Sequence, residues 1–304
     1  MIYTCTLNPS LDYYMEFDVL QLGNLNRSKA EFFEPGGKGI NVSIVLNNLK
    51  IPSRALGFLG GFTKDYFVDK LAQYEYIQPS FTSIQESTRI NIKALTTSET
   101  IMNAKGPNVT EEEKQQLLRR INKLSDIDIF VLSGSCPDDC LDLAEQMMKH
   151  CQVNGVQLVL DTKPSTMMVF LKYKPLLVKP NLAELEEFFS ETIQTQAEMI
   201  KYAKKIVELG AQNCLVSLGG EGALLVNEEG VFHSNAVKGS VVSATGAGDS
   251  VVAGFLMNYL RTKDILTIFK YASACGSATA LSKGLATREK VDEIVNQVQV
   301  TKVE

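Results

Sequence analysis

The residues best suited to chemistry lie in one short run, Thr245-Gly246-Ala247-Gly248-Asp249, just ahead of an apolar helical segment. Small residues at the start of a helix let its free backbone N–H groups approach an anion closely, and the helix dipole adds about half a positive charge there. A transferring phosphoryl group needs such a cradle, because its charge spreads over three oxygens. Asp249 can then accept the proton of an attacking hydroxyl or only stabilise the helix N-terminus. The spacing leaves both roles open.

A second glycine cluster, Pro35-Gly36-Gly37-Lys38-Gly39-Ile40-Asn41, lies near the N-terminus. It is not a Walker A loop, since that pattern requires serine or threonine after its lysine. Glycines ahead of a helix still permit close approach of a ligand's hydroxyl groups to the backbone. Asn41 offers both a donor and an acceptor, as sugar hydroxyls require. The alternative is a tight turn that caps a helix, with Lys38 as a solvated surface lysine.

A third feature is the run Lys179-Pro180-Asn181. Proline disfavours a helical conformation at Lys179, so a helix is expected to begin at or after Asn181. Asn181 and Glu184 would then share one face of that helix, where both can order a hydrated magnesium ion. The alternative is a capping box, with asparagine as the N-cap and glutamate at the third helical position.

The run Ser217-Leu218-Gly219-Gly220-Glu221-Gly222 follows a buried apolar strand. Its glycines can admit the ribose and phosphates of a nucleotide. They can also form a hairpin to residues 223–226. The two interpretations are compatible.

The elements that must position these runs alternate between short apolar strands and amphipathic helices. With helices between them, strands are predicted at 1–7, 54–59, 127–132, 156–160, 175–178 and 214–218. This alternation indicates an α/β protein with a mostly parallel sheet covered on both faces. Such sheets bind ligands beyond the carboxyl ends of their strands. Residues 13–33 and 88–96 alternate without helices, which predicts a small antiparallel flap, and no linker divides residues 1–304 into separate domains.

Composition restricts the class of protein. The chain of 304 residues is 45% apolar and 21% charged, as is typical of soluble globular proteins. Its net charge is -5 and no block of lysine and arginine stands out, so a nucleic-acid partner is not expected. No apolar run approaches the roughly 18 residues of a membrane span, and the start lacks the basic n-region of a secretory signal. We therefore expect a cytoplasmic protein with no membrane partner.

The six cysteines show no paired spacing of the metal-binding type. Cys136 and Cys140 lie four residues apart in CPDDC, but the chain has only two histidines, His150 and His233. A zinc site is therefore disfavoured. Reduced, mostly buried thiols in the cytoplasm fit better.

GGKGIN at 36–41 and TGAGD at 245–249 together resemble the paired signatures of the ribokinase-like (PfkB) carbohydrate kinases. The resemblance covers essentially the whole chain, because Asp12 in LNPSLDYY, SGS at 133–135, KPN with Glu184, and SLGGEGALL at 217–225 fall in the expected order. It implies an α/β, ribokinase-like three-layer sandwich with a mostly parallel central sheet. It also implies a small β-sheet lid with segments near 13–33 and 88–97, and an ATP-dependent phosphotransferase with an alcohol group as acceptor.

The resemblance assigns roles to the matching positions. Asp249 resembles the catalytic base and Gly246, Ala247 and Gly248 resemble the anion hole, while magnesium is expected at Asn181 and Glu184. Expected sugar contacts are Asp12, Gly37 and Asn41, and expected ATP contacts are Asn181, Ser217, Gly219, Gly220, Gly222 and Gly248. The second signature usually begins with Asp-Thr, and Ser243 and Ala244 stand there instead. That departure can alter the cation or nucleotide environment but leaves Asp249 in place.

A phosphorylated sugar needs cationic anchors. Arg27 and Arg89 lie in the two lid segments and Lys38 lies in the first glycine cluster. Each can bind the substrate's phosphate, or serve as a surface charge of the kind that protects edge strands. TRINIK at 88–93 resembles the family members that phosphorylate fructose 1-phosphate to fructose 1,6-bisphosphate.

Alternatives to that substrate remain. Tagatose 6-phosphate, giving tagatose 1,6-bisphosphate, is the nearest one, because the sequence does not reveal where the phosphate is anchored. A non-catalytic sugar-phosphate sensor is remoter, because a sensor has no need of the carboxylate in TGAGD. Relatives often pair through the lid, so the resemblance also implies a homodimer.

Overall fold

The structure of the protein, a computed structural model, describes residues 1–304 as fifteen β-strands and ten α-helices. The strands are β1 (Ile2–Thr6), β2 (Ser10–Glu16), β3 (Ala30–Gly36), β4 (Ser53–Gly60), β5 (Ile77–Pro79), β6 (Thr82–Ile84), β7 (Arg89–Leu95), β8 (Glu99–Met102), β9 (Ile129–Ser133), β10 (Gln157–Asp161), β11 (Leu177–Val178), β12 (Asn213–Ser217), β13 (Ala223–Asn227), β14 (Gly230–Ser234) and β15 (Val300–Lys302). The helices are α1 (Lys38–Asn48), α2 (Phe62–Leu71), α3 (Glu111–Ile121), α4 (Leu141–Val153), α5 (Pro164–Phe170), α6 (Leu182–Phe189), α7 (Gln196–Glu208), α8 (Ala247–Tyr259), α9 (Ile265–Ala280) and α10 (Arg288–Ile294).

Most strands belong to one central sheet, in the order β15-β14-β13-β12-β11-β10-β9-β1-β4-β5, with β6 also paired to β4. Neighbours from β12 to β5 run parallel, and β13, β14 and β15 add an antiparallel edge. Every residue of β9 is buried, as expected of a strand covered on both faces. The predicted mostly parallel sheet is confirmed.

Helices cover both faces of the central sheet. On one face, α3 to α7 bury apolar side chains such as Leu117, Met147 and Leu185 in a common core. On the other face, α1, α8, α9 and α10 contribute to a second core, with Val45 and Phe255 among its members. The three layers implied by the family resemblance are therefore present. None of the ten helices combines the length and the apolar character that crossing a bilayer requires.

A second sheet of four strands forms the lid, in the order β3-β2-β7-β8. The outer pairs, β2 with β3 and β7 with β8, are antiparallel, but β2 and β7 run parallel. The prediction of an antiparallel flap is wrong for this central pair. The chain passes through α1, β4 and α2 between the two strands, and a connection of that length permits parallel pairing. The lid also includes β8, which lies beyond the segment predicted near 88–97.

All six cysteines are free and buried, which confirms the prediction of buried thiols. Five of them lie in the core beneath α3 to α7 and one, Cys275, lies in the core on the opposite face. Burial, helped by nearby acidic groups, raises the pKa of Cys136 and of Cys140 to about 12. Both thiols therefore stay protonated near neutral pH and behave as small apolar side chains.

Candidate active site

One continuous cleft of about 1900 Å³ lies between the carboxyl ends of the parallel strands and the lid. A pocket for one small molecule usually measures roughly 300–1,000 Å³, so this cleft has room for two ligands. The structure brings most of the predicted site residues together in its lining, namely Asp12, Gly37, Lys38, Asn41, Arg89, Asn181, Ser217, Gly219, Gly220, Gly222, Gly246, Ala247, Gly248 and Asp249.

The N-terminus of α8 opens into the cleft. Gly246 is its N-cap residue, with a φ of 79° that favours glycine. The Ala247 amide donates to the Ala244 carbonyl at 3.2 Å, whereas the amides of Gly248 and Asp249 have no acceptor within the chain. The amide of Gly246 also has no acceptor, so the free donors at this helix end are those of Gly246, Gly248 and Asp249. An anion contact from Ala247 would require its present bond to break.

Asp249 lies in the first turn of α8 and is only 5% exposed. Its Oδ2 accepts a hydrogen bond from Asn41 Nδ2 at 2.7 Å. Burial and the negative charge of Asp161 raise the pKa of Asp249 to about 7, although Asn41, Lys38 and Lys179 act in the opposite direction. A carboxylate with a pKa near neutrality is suited to take a proton from a hydroxyl during a reaction at physiological pH.

Two lysines meet a fully buried carboxylate close to Asp249. Asp161 ends β10, and its Oδ1 lies 2.9 Å from Lys38 Nζ and 3.5 Å from Lys179 Nζ. Lys38 Nζ also lies 3.6 Å from Glu184 Oε1. Burial lowers the pKa of Lys38, but the charges of Asp161 and Glu184 outweigh it and hold that pKa above its usual value. Lys38 is therefore a permanent cation in the cleft.

Asp12 occupies the lid side of the cleft. Its Oδ1 accepts from Ser10 Oγ at 2.7 Å and from Asn91 Nδ2 at 3.0 Å, and its Oδ2 lies 3.6 Å from Lys93 Nζ. A Cβ at Gly36 on the neighbouring strand would lie 2.6 Å from the Asp12 carboxylate. A glycine is required there, because the two strands could not otherwise pair with Asp12 in this position. The result is a polar surface with the donors and acceptors that sugar hydroxyls need.

Arg89 lines the cleft but is also tied to the backbone. Its guanidinium donates to the carbonyls of Ala104 at 2.8 Å, Asn8 at 2.9 Å and Pro9 at 3.4 Å. These bonds join the first residue of β7 to the turn that follows β1 and to the segment that follows β8. A guanidinium has five N–H donors, so two remain for a ligand. The predicted phosphate contact of Arg89 would use those two and stays a prediction.

Arg27 does not reach the cleft. It is exposed in the loop between β2 and β3 and is absent from the cleft lining. Its predicted contact with a substrate phosphate would need that loop to move.

Asn181 and Glu184 form the capping box at the start of α6. Asn181 Oδ1 accepts from the Glu184 amide at 2.8 Å, and Glu184 Oε2 accepts from the Asn181 amide at 2.9 Å. The chain holds no cluster of three or more histidine, cysteine, aspartate or glutamate side chains arranged for a metal ion. Glu184 Oε1 stays outside the box, and carboxylate oxygens are the ligand type that Mg²⁺ prefers. The pair therefore fits a magnesium ion contacted through water.

The run from Ser217 to Gly222 forms the hairpin between β12 and β13, with the Leu218 amide donating to the Gly222 carbonyl at 2.9 Å. Gly222 has a φ of 95°, and a Cβ there would lie 1.9 Å from the Ser234 carbonyl oxygen. At Gly219 and Gly220 a Cβ would meet nothing within 4 Å. The hairpin therefore presents an open, side-chain-free surface to the cleft.

The lid touches the loop that leads into α8. Thr245 Oγ1 donates to Glu99 Oε2 at 3.2 Å, and Glu99 is the first residue of β8. The edge strand β8 of the lid and the loop that leads into α8 are therefore connected directly.

Comparison with known proteins identifies the family. Residues 6–291 match the model described as pfkB family carbohydrate kinase. The chain belongs to the pfkB family of carbohydrate kinases. Its members are phosphotransferases with an alcohol group as acceptor, so the predicted enzyme class and ribokinase-like fold are confirmed.

Full-length relatives of this pfkB kinase carry sugar-phosphate names. A 1-phosphofructokinase from Bacillus subtilis (strain 168) is 40% identical over 304 residues, covering 100% of both chains. A D-tagatose-1-phosphate kinase from Bacillus licheniformis is 36% identical over 303 residues, covering 99% of both. Among solved structures, phosphofructokinase-2 from Escherichia coli superposes with a TM-score of 0.93 at 28% identity, covering 97% of this chain and 98% of the other. Another structure of that protein, with a TM-score of 0.91 at the same identity and coverage, is its tetrameric inhibited form.

Four buried residues of this pfkB kinase site were not among the expected site residues: Asp161, Lys179, Asn91 and Lys93. Asp161 directly follows the apolar strand predicted at 156–160, and α/β sheets place ligand-binding groups at that position. The sequence therefore contained a signal that could have identified Asp161 as a site residue. Lys179 begins the KPN run, but lysine is rarely buried, and its Nζ has reached the interior only because Asp161 pairs with it. The polar pair Asn91 and Lys93 alternates with apolar Ile92, and that alternation could have placed both on the cleft face of β7.

Proposed function

We propose that this pfkB kinase transfers the γ-phosphoryl group of ATP to fructose 1-phosphate, giving ADP and fructose 1,6-bisphosphate. The observation that carries the proposal is the position of Asp249, a buried carboxylate with a pKa of about 7 beside the free amides of α8. It lies in a cleft with room for both a nucleotide and a sugar. The substrate is supported by the full-length relative named 1-phosphofructokinase.

In the proposed reaction, Asp249 takes the proton of the hydroxyl on carbon 6 of the sugar. The hydroxyl oxygen forms a bond to the γ-phosphorus, the bond from that phosphorus to the β–γ bridging oxygen breaks, and ADP leaves with the electron pair. The free amides of Gly246, Gly248 and Asp249 would face the charge on the migrating phosphoryl oxygens. Asp249 then releases its proton to water once the products have left.

The proposed ATP contacts lie along the open hairpin at Gly219 and Gly220 and at Ser217, Gly222 and Asn181. Magnesium, when bound with ATP, neutralises the charge of the β- and γ-phosphates. Glu184, with Asn181, would orient its water shell. The lid excludes bulk water, which would otherwise compete with the sugar for the phosphoryl group.

Asp12, Gly37 and Asn41 are the proposed contacts for the sugar's hydroxyl groups. Arg89 and Lys38 are the proposed anchors for its 1-phosphate, because both are cationic and line the cleft. Arg27 contributes only if the loop between β2 and β3 moves. A second candidate substrate is D-tagatose 1-phosphate, which is favoured by the name of the Bacillus licheniformis relative. That name places the phosphate on carbon 1, and not on carbon 6 as in the alternative drawn from the sequence.

Steady-state ADP release with four sugars tests the proposal: fructose 1-phosphate, tagatose 1-phosphate, tagatose 6-phosphate and fructose 6-phosphate. We expect kcat/KM for fructose 1-phosphate to exceed that for the two 6-phosphates by at least roughly tenfold. A 6-phosphate would leave the cationic groups proposed for the 1-phosphate without a partner, and unpaired polar groups in a binding site are costly. A higher value for fructose 6-phosphate would contradict the proposed substrate. No ADP release with any of the four would favour the sensor alternative.

We also propose a homodimer that forms through the lid. Phe32 on β3 and Ile101 and Met102 on β8 are large apolar residues on the two edge strands of the lid, and they are 42%, 45% and 47% exposed. Exposed apolar side chains on a small sheet suit contact with a second copy. The reduced thiols suit the cytoplasm. With a net charge of -5, the proposed partners are small molecules and a second copy, with neither nucleic acid nor a membrane among them.

A further inference from the structure

Lys179 and Asp161 have no part in the reaction described so far, yet both lie beside the reacting groups. Lys179 is 3% exposed and Asp161 is fully buried. A Cβ at Gly248 would lie 2.9 Å from Lys179 Nζ, so the ammonium group sits beside Gly248 in the first turn of α8. Burying an ammonium group is costly unless a carboxylate pairs with it, and Asp161 is that carboxylate.

Asp161 serves two lysines through one oxygen. Its Oδ1 contacts both Lys38 and Lys179, while Oδ2 is buried without a hydrogen-bond partner. Glu184 also lies 3.6 Å from Lys38, so the two lysines are balanced by two carboxylates. Of these four groups, Asp161, Lys38 and Lys179 act directly on Asp249.

We propose that Asp161 and Lys179 are positioning residues for the general base: they form a buried ion pair beside the first turn of α8, and their opposite charges act in opposite directions on how readily Asp249 takes up a proton. This inference rests on the proposed function, since it assigns roles within the same site. It concerns groups that do not themselves touch the hydroxyl.

The charged and polar groups that face Asp249 come from three elements. From α1 come Lys38 and the amide of Asn41, from the end of β10 comes Asp161, and from the segment after β11 comes Lys179. Glu184 on α6 acts through Lys38. The negative charge of Asp161 raises the pKa of Asp249, and the positive charges of Lys38 and Lys179 lower it. Removing Asp161 or Lys179 should therefore change the basicity of Asp249 in opposite directions.

The test is the pH dependence of kcat/KM for the full-length wild type, Asp161→Asn and Lys179→Met. The acid limb of this profile is the range in which kcat/KM falls as pH decreases. Loss of the Asp161 charge should move the acid limb to lower pH, and loss of the Lys179 charge should move it to higher pH. We expect each shift to be about one pH unit, the low end of the pKa change that one close charge causes. Lys179→Met should also regain activity relative to wild type as pH rises. Lys163→Met is the matched control, because Lys163 is exposed, lies two residues from Asp161 and is not in the cleft lining. It should leave the limb unchanged.

Opposed shifts of the two variants, with none in the control, would support the inference, since general damage to the site does not move a limb in two directions. Limbs that stay at the wild-type position, or that move the same way, would overturn it. If Asp161→Asn fails to fold in a thermal unfolding measurement, the direction of the Lys179→Met shift decides alone. A wild type without activity on any sugar phosphate would instead remove the proposed function, so the two failures are distinguishable.

Discussion

At the residue scale, burial gives Asp249 its chemistry. An aspartate in water has a pKa of about 3.9, so it is ionised at neutral pH but accepts a proton poorly. In the cleft, burial and the charge of Asp161 raise the pKa to about 7. The side chain is then still partly ionised at neutral pH and is a much better proton acceptor.

The first residue-scale prediction concerns the pH profile and the base itself. Because only ionised Asp249 can accept the proton, kcat/KM should be lost as pH falls through about 7.

Asp249→Asn should lower kcat by about 10²- to 10⁴-fold, the range for a general base, with substrate binding kept. Assays of ADP release across a range of pH test the pH profile and the loss of kcat. Isothermal titration calorimetry with each substrate tests whether binding is kept.

The matched control for that variant is Asp65→Asn, which removes the same charge from an exposed position in the first turn of α2. It should leave kcat within about twofold of wild type, as surface changes usually do. Near-normal turnover of Asp249→Asn would refute the assignment of the base.

The role of a residue was predictable from the sequence when it depends on the spacing of neighbouring residues. It was not predictable when it depends on contacts between distant parts of the chain. The run from Thr245 to Asp249 indicated either a phosphoryl cradle or a stabilised helix N-terminus, and only the family resemblance favoured the cradle. The three backbone partners of Arg89 could not be predicted, since Asn8 and Pro9 lie about 80 residues away along the chain. Only the pairing of β2 with β7 brings them together.

At the scale of elements, the two glycines of one hairpin have different requirements. Gly222 adopts a positive φ and faces the Ser234 carbonyl, whereas Gly220 faces open space. Glycine is therefore a structural necessity at 222, and at 220 it serves only to keep the cleft surface open.

Gly222→Ala should accordingly lower the free energy of unfolding by about 1–3 kcal/mol, the usual cost of a strained backbone position, with the close contact adding to it. Gly220→Ala, its matched control, should change stability by less than about 0.5 kcal/mol. Denaturant unfolding of both variants measures the difference. Equal stability of the two would show that the β12–β13 turn relaxes freely.

Elements were predictable when they are long and periodic. The strand expected at 156–160 lies within one residue of β10, and the strand expected at 127–132 lies within two residues of β9. The strands β5 and β6, of three residues each, carry no periodic signal and were not predicted. At Asn181 and Glu184 the capping box was one of two predicted uses, and the pair makes both of its hydrogen bonds.

At the scale of the whole molecule, the lid forms one side of the cleft and carries the contact proposed with a second copy. Its pairing of β2 with β7 depends on residues far apart along the chain, so the alternating pattern that revealed the strands could not reveal their relative direction. The layers of the central sheet were predictable, since alternation of strands and helices leaves few other arrangements.

The whole-molecule prediction is that the protein sediments as a dimer at micromolar concentration and that Ile101→Glu shifts it toward monomer, because a buried charge would destabilise an apolar contact. Val153→Glu is the control, since Val153 is 77% exposed at the end of α4, away from the lid. It should leave the dimer intact. Sedimentation velocity checks both variants, and a monomeric wild type would contradict the lid dimer.

The burial of all six cysteines gives the molecule a set of internal reporters. A thiol reagent in solution can modify them only when the surrounding structure opens, so labelling rates measure local opening free energies. Five of the thiols lie on the α3 to α7 face and Cys275 lies on the other face. Mass spectrometry of partially labelled protein would therefore reveal whether the two faces of the sheet open together or one before the other.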